Sequence, residues 1–207
     1  KVLADFFETG VYDINRPFYM TEAPSMDILI SSNFERFLYY LTGSAEQVRE
    51  SMDRLKKEGK YVVSKEAFAK ADMEMMGGWA SPEDMAHAMS EVYENYDYLM
   101  DPHTAVAYAV YDHLRREGEI PRHSHTVIIS TAHPYKFPGV VAKALGLKEM
   151  ESPYDTLREI ADKTGIPVPK QLGELENRPK RFMETVDRKD MADTIRSYAD
   201  EICESSH

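Results

Sequence analysis

The chain has a single cysteine, Cys203, in 207 residues. One thiol makes no intramolecular disulfide and no cysteine-based zinc site, and it suits a reducing, cytoplasmic compartment. Apolar runs are short, such as Val127–Ile129, whereas a helix needs roughly 20 apolar residues to cross a bilayer; a membrane span is not expected. Basic residues are in deficit: 25 Lys and Arg against 36 Asp and Glu give a net charge of −11. No segment gathers cations on one face, which argues against binding a nucleic-acid backbone. The acidic surface favours solubility instead. There is no Gly-x-Gly-x-x-Gly or Walker loop to cradle a phosphate, no Gly-x-Ser-x-Gly elbow, and no internal repeat. An initiator methionine is also missing. The chain opens at Lys1 and runs at once into Val2, Leu3, Phe6 and Phe7. That is a core-like pattern without the layout of a signal peptide, and the expectation is that residues of the protein precede Lys1.

What is present is a helix-forming sequence with recurrent punctuation. With 43% hydrophobic residues, the length suits one large domain or two small ones. Ser32 to Glu35 fits a capping box, followed by Phe34, Phe37, Leu38 and Leu41 at helical spacing. Ser44 with Gln47 repeats the device and leads to a stop at Gly59. Ser81, Asp101 and Ser152 each precede a proline at the first helical position. The helix from Pro102 to about Glu117 carries apolar or small residues on all sides of Ala105–Tyr111, which predicts burial. A last helix from near Asp187 aligns Met191, Ile195, Tyr198 and Ile202 on a face expected to pack. Strand signals are few. Thr126–Ser130 reads as a buried parallel strand and Tyr61–Val63 as a short one, while Phe18–Ile30 fits either strand or a lead into a helix. Residues 165–179, with three prolines, read as an extended surface segment. A central parallel strand needs neighbours, and their lack again points to a sheet continued upstream.

Most chemical constellations resolve to structural roles. His123, His125 and His133 have ligand-like spacing, but no acidic partner is fixed by it and a solvated loop is favoured, so no metal is expected. His87 and His113 stand alone on helices. Gly77–Gly78 reads as a hinge between helices, and Met73, Met75 and Met76 as adaptable packing.

Three strings carry more information: PSMDILISSNFER (Pro24–Arg36), DPHTAVA (Asp101–Ala107) and ISTAHPYKF (Ile129–Phe137). In order and spacing they resemble the C-terminal half of threonine synthase, and the opening VLADFFETGVYD (Val2–Asp13) is similar to the segment before the first string. The resemblance covers nearly the whole chain, loosening after about Glu149. It implies a helix-rich α/β chain, part of the tryptophan-synthase-β-like pyridoxal-phosphate fold, a truncated three-layer αβα arrangement. Residues 1–149 would be the C-terminal part of the catalytic domain, with a helical insertion at about 44–100, and residues 150–207 a helical tail packed on it. The implied reaction converts O-phosphohomoserine and water to threonine and phosphate with pyridoxal 5'-phosphate as cofactor. The family's Schiff-base lysine and its cofactor-phosphate loop would lie upstream of Lys1, so the missing N-terminal half is an implied partner and the chain alone is expected to be inactive. Opposite the pyridine nitrogen the fold implies a neutral hydroxyl at a strand end: Thr131, with Ser130 as the alternative. Ser25, Ser31, Ser32, Asn33 and Arg36, near a helix start, and Lys136 are candidate contacts to the anionic substrate. Asp27 is expected to orient its turn. His103 and Thr104 either line the site or terminate the helix, the second being favoured. The alternative reading is a non-catalytic helical binding or regulatory module derived from the enzyme, and an open sheet edge would permit self-association.

Overall fold

The computed structural model describes residues 1–148, 150–181 and 183–204. Its helices form where local caps and apolar stripes coincide. Helix α1 (Val2–Thr9) ends at Gly10 in the left-handed conformation, and the chain then enters strand β1 (Val11–Asp13). Helices α2 (Phe34–Thr42) and α3 (Ala45–Glu58) follow, then strand β2 (Lys60–Val62) and helix α4 (Lys65–Glu74). β1 and β2 pair antiparallel, with Tyr12 opposite Tyr61. Their rings stack at 5.2 Å and 8°, which fixes the register. Val2, Phe6, Tyr12, Phe34, Leu38, Leu55 and Tyr61 form the core of this half. β1 has no counterpart in the sequence reading; three residues are too few to show a period.

The second half is built on α5 (Pro82–Tyr96), α6 (Pro102–Glu117), α7 (Pro138–Ala144) and α8 (Pro153–Thr164). Met85, Met89, Val92, Leu99, Met100, Ala105, Tyr135, Val141, Leu157 and Ile160 form its core. The caps at Ser44, Ser81, Asp101 and Ser152 are made as expected, and that at Ser81 is a complete capping box with Asp84. Gly77–Gly78 lies between α4 and α5, as read from the sequence, and is also a place where the backbone closely approaches both halves. A Cβ on Gly78 would lie 2.3 Å from Val110 Cγ1, and one on Gly77 would lie 2.8 Å from Phe7 Cβ.

Several expectations fail for identifiable reasons. The Ser32 capping box is not made: Asn33 already has helical backbone (φ −71°, ψ −21°), and no side chain caps α2. The Thr126–Ser130 segment is not a paired strand among the described residues, and Val127 and Ile129 are 86% and 74% exposed. An apolar run is a strand only when a neighbour fills its hydrogen bonds. In α6 burial ends after the first turn, at Ala105, and the rest is half-covered or exposed. Met73, Met75 and Met76 are exposed rather than packed. Residues 165–179 hold helix α9 (Lys170–Gly173) and a 3-10 turn, not a purely extended chain. In the C-terminal segment α8 packs on α7, whereas Met191, Ile195, Tyr198 and Ile202 of α10 (Met191–Glu204) are all exposed. The expected boundary at Glu149 lies outside the described residues, as does His207.

Phe6 is fully buried and meets Phe7 and Phe34 edge-on at 5.4 and 4.7 Å. Phe6→Ala is expected to cost about 3–5 kcal/mol in denaturant unfolding, whereas Ile195→Ala on the open face of α10 should stay within about 0.5 kcal/mol.

Candidate functional site

The first turn of α6 gathers the polar groups of interest. Pro102 fixes the helical entry, and the Asp101 side chain, fully buried, caps it by accepting from the backbone amides of His103 (3.0 Å) and Thr104 (3.4 Å). The same carboxylate meets His103 Nδ1 at 3.1 Å and accepts from the Thr104 hydroxyl. Nδ1 facing a carboxylate carries the proton, so Nε2 is an acceptor. It takes the backbone N–H of Ser25 at 3.1 Å. Thr104 Oγ1 lies 3.2 Å from Ser130 Oγ. The Phe137 ring packs against the imidazole at 4.9 Å, closing one side. Asp101, His103 and Thr104 thus join Ser25 to Ser130, and all three sequence strings meet in one hydrogen-bonded cluster.

Around it the 21–31 segment is tied at several points. Asp27 accepts from the amide (2.6 Å) and hydroxyl (2.7 Å) of Thr21, orienting this turn as expected. Glu22 bonds Lys143 of α7 at 2.7 Å and pushes that ammonium above the usual lysine range. At the other end Tyr12 donates to the carbonyl of Leu29 (3.0 Å) and accepts from the amide of Ser31 (2.9 Å). Burial raises the Tyr12 phenol, so it keeps the proton it donates.

The sequence-predicted residues divide accordingly. Ser25 and Ser130 enter the cluster, the first through its backbone and the second through its hydroxyl. Thr131 follows Ser130 with an exposed side chain that makes no hydrogen bond among the described residues. Ser31 is held by Tyr12. Ser32, Asn33 and Arg36 are exposed around the start of α2 and no hydrogen bond joins them to Asp101. Lys136 is exposed in a 3-10 turn (Pro134–Lys136), where His133 accepts from the amide of Tyr135 at 3.2 Å. Among the described residues no group of His, Cys, Asp and Glu is arranged to hold a metal ion, and no helix is long and apolar enough to cross a membrane. Sequence reasoning missed the reach of Asp101. The available signal was an N-cap acid followed by two side chains, His103 and Thr104, able to fold back on it.

Residues 104–197 match the family described as threonine synthase, C-terminal. Among curated relatives, threonine synthase of Pseudomonas aeruginosa is 38% identical over 59% of this chain and 25% of its own. Threonine synthase of Saccharomyces cerevisiae is 32% identical over 70% and 30%. The human protein "threonine synthase-like 1" is 35% identical over 72% and 20%. The chain is related to the C-terminal part of threonine synthase. It spans about a fifth to a third of the length of the curated relatives it matches. The pyridoxal-phosphate-bound threonine synthase of Brucella melitensis superposes with a TM-score of 0.68 at 31% identity, over 88% of this chain and 34% of that one. The yeast threonine synthase structure gives 0.79 at 28%, over 97% and 40%. The helix-rich α/β architecture expected from the strings is therefore that of part of the threonine synthase fold.

Because Thr131 is exposed and makes no hydrogen bond among the described residues, Thr131→Ala should leave unfolding free energy within about 0.5 kcal/mol of the parent chain. Denaturant titration checks this and separates a functional role for Thr131 from a structural one.

Proposed function

We propose that this chain carries one wall of a threonine synthase active site, acting on O-phosphohomoserine and water to give threonine and phosphate. The observation that carries this reading is the Asp101 cluster, which draws the three threonine-synthase-like strings to one place. When bound, pyridoxal phosphate would supply the electron sink for the reaction. Thr131 fits its ring side: a neutral hydroxyl, with no hydrogen-bond partner among the described residues, beside Ser130, whose own hydroxyl lies against Thr104. Thr131 would face the pyridine nitrogen, with Ser130 as the alternative. No glycine-rich phosphate loop occurs in the sequence, so that end of the cofactor would be held by the remainder of the fold.

The substrate side would begin at α2. No side chain caps this helix; the amides of Phe34 and Arg36 are taken by the carbonyls of Ser31 and Asn33, so the donors offered to an anion would be the exposed side chains of Ser32, Asn33 and Arg36. Ser31 is held by Tyr12 and Ser25 by His103, which supports their reading as fixed contacts. Lys136 would add a positive charge at the rim. In a protein with a net charge of −11, such local donors are what a doubly anionic substrate requires.

The test joins this chain to the upstream half of a threonine synthase and measures phosphate release from O-phosphohomoserine. The joined polypeptide is expected to release phosphate, and the 207-residue chain alone, given pyridoxal phosphate, is not. Thr131→Ala and Thr131→Asp should each lower turnover at least about tenfold and shift the absorbance of the bound cofactor. Activity of the chain alone at enzyme-like rates would refute the shared-site reading, and an unchanged spectrum in both variants would remove Thr131 from it.

A further inference from the structure

We propose that Asp101 is a positioning residue of this site, holding the Ser25 loop through His103 and the Ser130–Thr131 segment through Thr104. It rests on the reading above for what those two segments do, and goes beyond it in assigning what places them. An ordinary helix cap needs one acceptor for the amides at the second and third helical positions, and Ser or Asn serves as well as Asp. Asp101 does more: Oδ1 takes both amides and faces His103 Nδ1, while Oδ2 takes the Thr104 hydroxyl. Two oxygens that only accept are needed, and a carboxylate is the side chain that has them.

Each branch depends on that charge. The imidazole has one proton to place, and the carboxylate draws it to Nδ1, which leaves a lone pair on Nε2 for the amide of Ser25. Thr104 has one hydroxyl proton and two neighbours, and the carboxylate is the stronger acceptor of the two. In Asp101→Asn the amide oxygen can still cap α6, so the helix is retained. Its NH2 group then faces Thr104 as a donor, turning the threonine hydroxyl toward Ser130. The charge that holds the His103 proton on Nδ1 is gone. The Thr104–Ser130 bond is thereby reversed and the Ser25 amide loses its fixed acceptor, so both segments are re-set while the core beneath them, Ala105 and Met100, is untouched.

Two readouts test this. In the ligand-free chain, the 15N shifts of the His103 imidazole report which nitrogen is protonated. A single Nδ1–H tautomer is expected, lost in Asp101→Asn with the far-UV circular dichroism unchanged. A tautomer identical in the two proteins overturns the proposal, whatever the chain binds. In the joined polypeptide, Asp101→Asn and Thr104→Val should each lower kcat by about tenfold to a hundredfold, with a smaller effect on KM, and shift the absorbance of bound pyridoxal phosphate. Thr104→Ser, which keeps the hydroxyl, should restore both. Thr104→Val with wild-type kcat and spectrum overturns the proposal even if Asp101→Asn fails to fold. Thr131→Ala separates the two claims. If it changes the spectrum while Asp101→Asn and Thr104→Val do not, the positioning role fails. If no variant changes it, the site assignment fails and the tautomer decides the fate of Asp101.

Discussion

The buried carboxylate of Asp101 is the group on which the placement of the three shared strings depends. A carboxylate removed from water is tolerated only when its lone pairs are filled. Here two amides, an imidazole and a hydroxyl fill them. Hydrogen bonds to a charged group contribute about 1.5–3 kcal/mol each, so the arrangement is stiff where it must be. Because two of these donors are side chains that each reach a second segment, the requirement to satisfy one acid becomes a constraint on the relative positions of Ser25, Ser130 and the start of α6. A neutral cap would terminate the helix equally well but would fix neither the His103 proton on Nδ1 nor the direction of the Thr104–Ser130 bond.

That constraint works because of where the 21–31 segment runs. Its Ala23 belongs to the core of α5–α8, whereas Leu29 packs on the aromatic core of α1, β1 and α2. The segment is therefore a strap between the two cores, bonded to α6 and α7 at Ser25 and Glu22 and to Tyr12 at Leu29 and Ser31. The close approach of Gly77 to Phe7 and of Gly78 to Val110 holds the same two cores together from another side. Residues on the strap and at the start of α2 inherit their position from both cores, which makes the candidate substrate contacts sensitive to packing in either.

Much of this organisation is legible in the sequence wherever its cause is local. Caps at Ser44, Ser81, Asp101 and Ser152 are read correctly because each involves residues within three positions of one another. Ser32 misleads because Asn33 adopts helical backbone, so the turn begins before the hydroxyl could cap it. Non-local causes are silent. The bond from Ser25 to His103 spans 78 residues, and β1 finds its partner only across two helices. Asp101 shows both cases at once: its cap follows from the Asp-Pro pair, whereas its reach to Ser25 and Ser130 does not. The three strings bridged that gap, since a family's shared residues record contacts that propensity and periodicity do not.

Under the proposed function, the Thr126–Ser130 segment indicates what a second wall would provide. It is rich in β-branched residues, yet it exposes Val127 and Ile129 and pairs with no strand among the described residues. Burying such a side chain contributes about 1.5–3 kcal/mol, and a parallel neighbour on each side would also satisfy its backbone. The same segment ends at Ser130 and Thr131, so whatever pairs with it sets the depth at which those hydroxyls stand. Ser25, Ser32, Asn33, Arg36, Thr131 and Lys136 are all exposed, and hydrogen bonds to an anion gain strength only once water is excluded. The yeast enzyme, of which this chain matches 40%, has the additional length to supply such a cover. On this physical ground the chain positions its groups by itself, through Asp101 and Tyr12, and under the proposed function a second surface that excludes water would strengthen their hold on an anion.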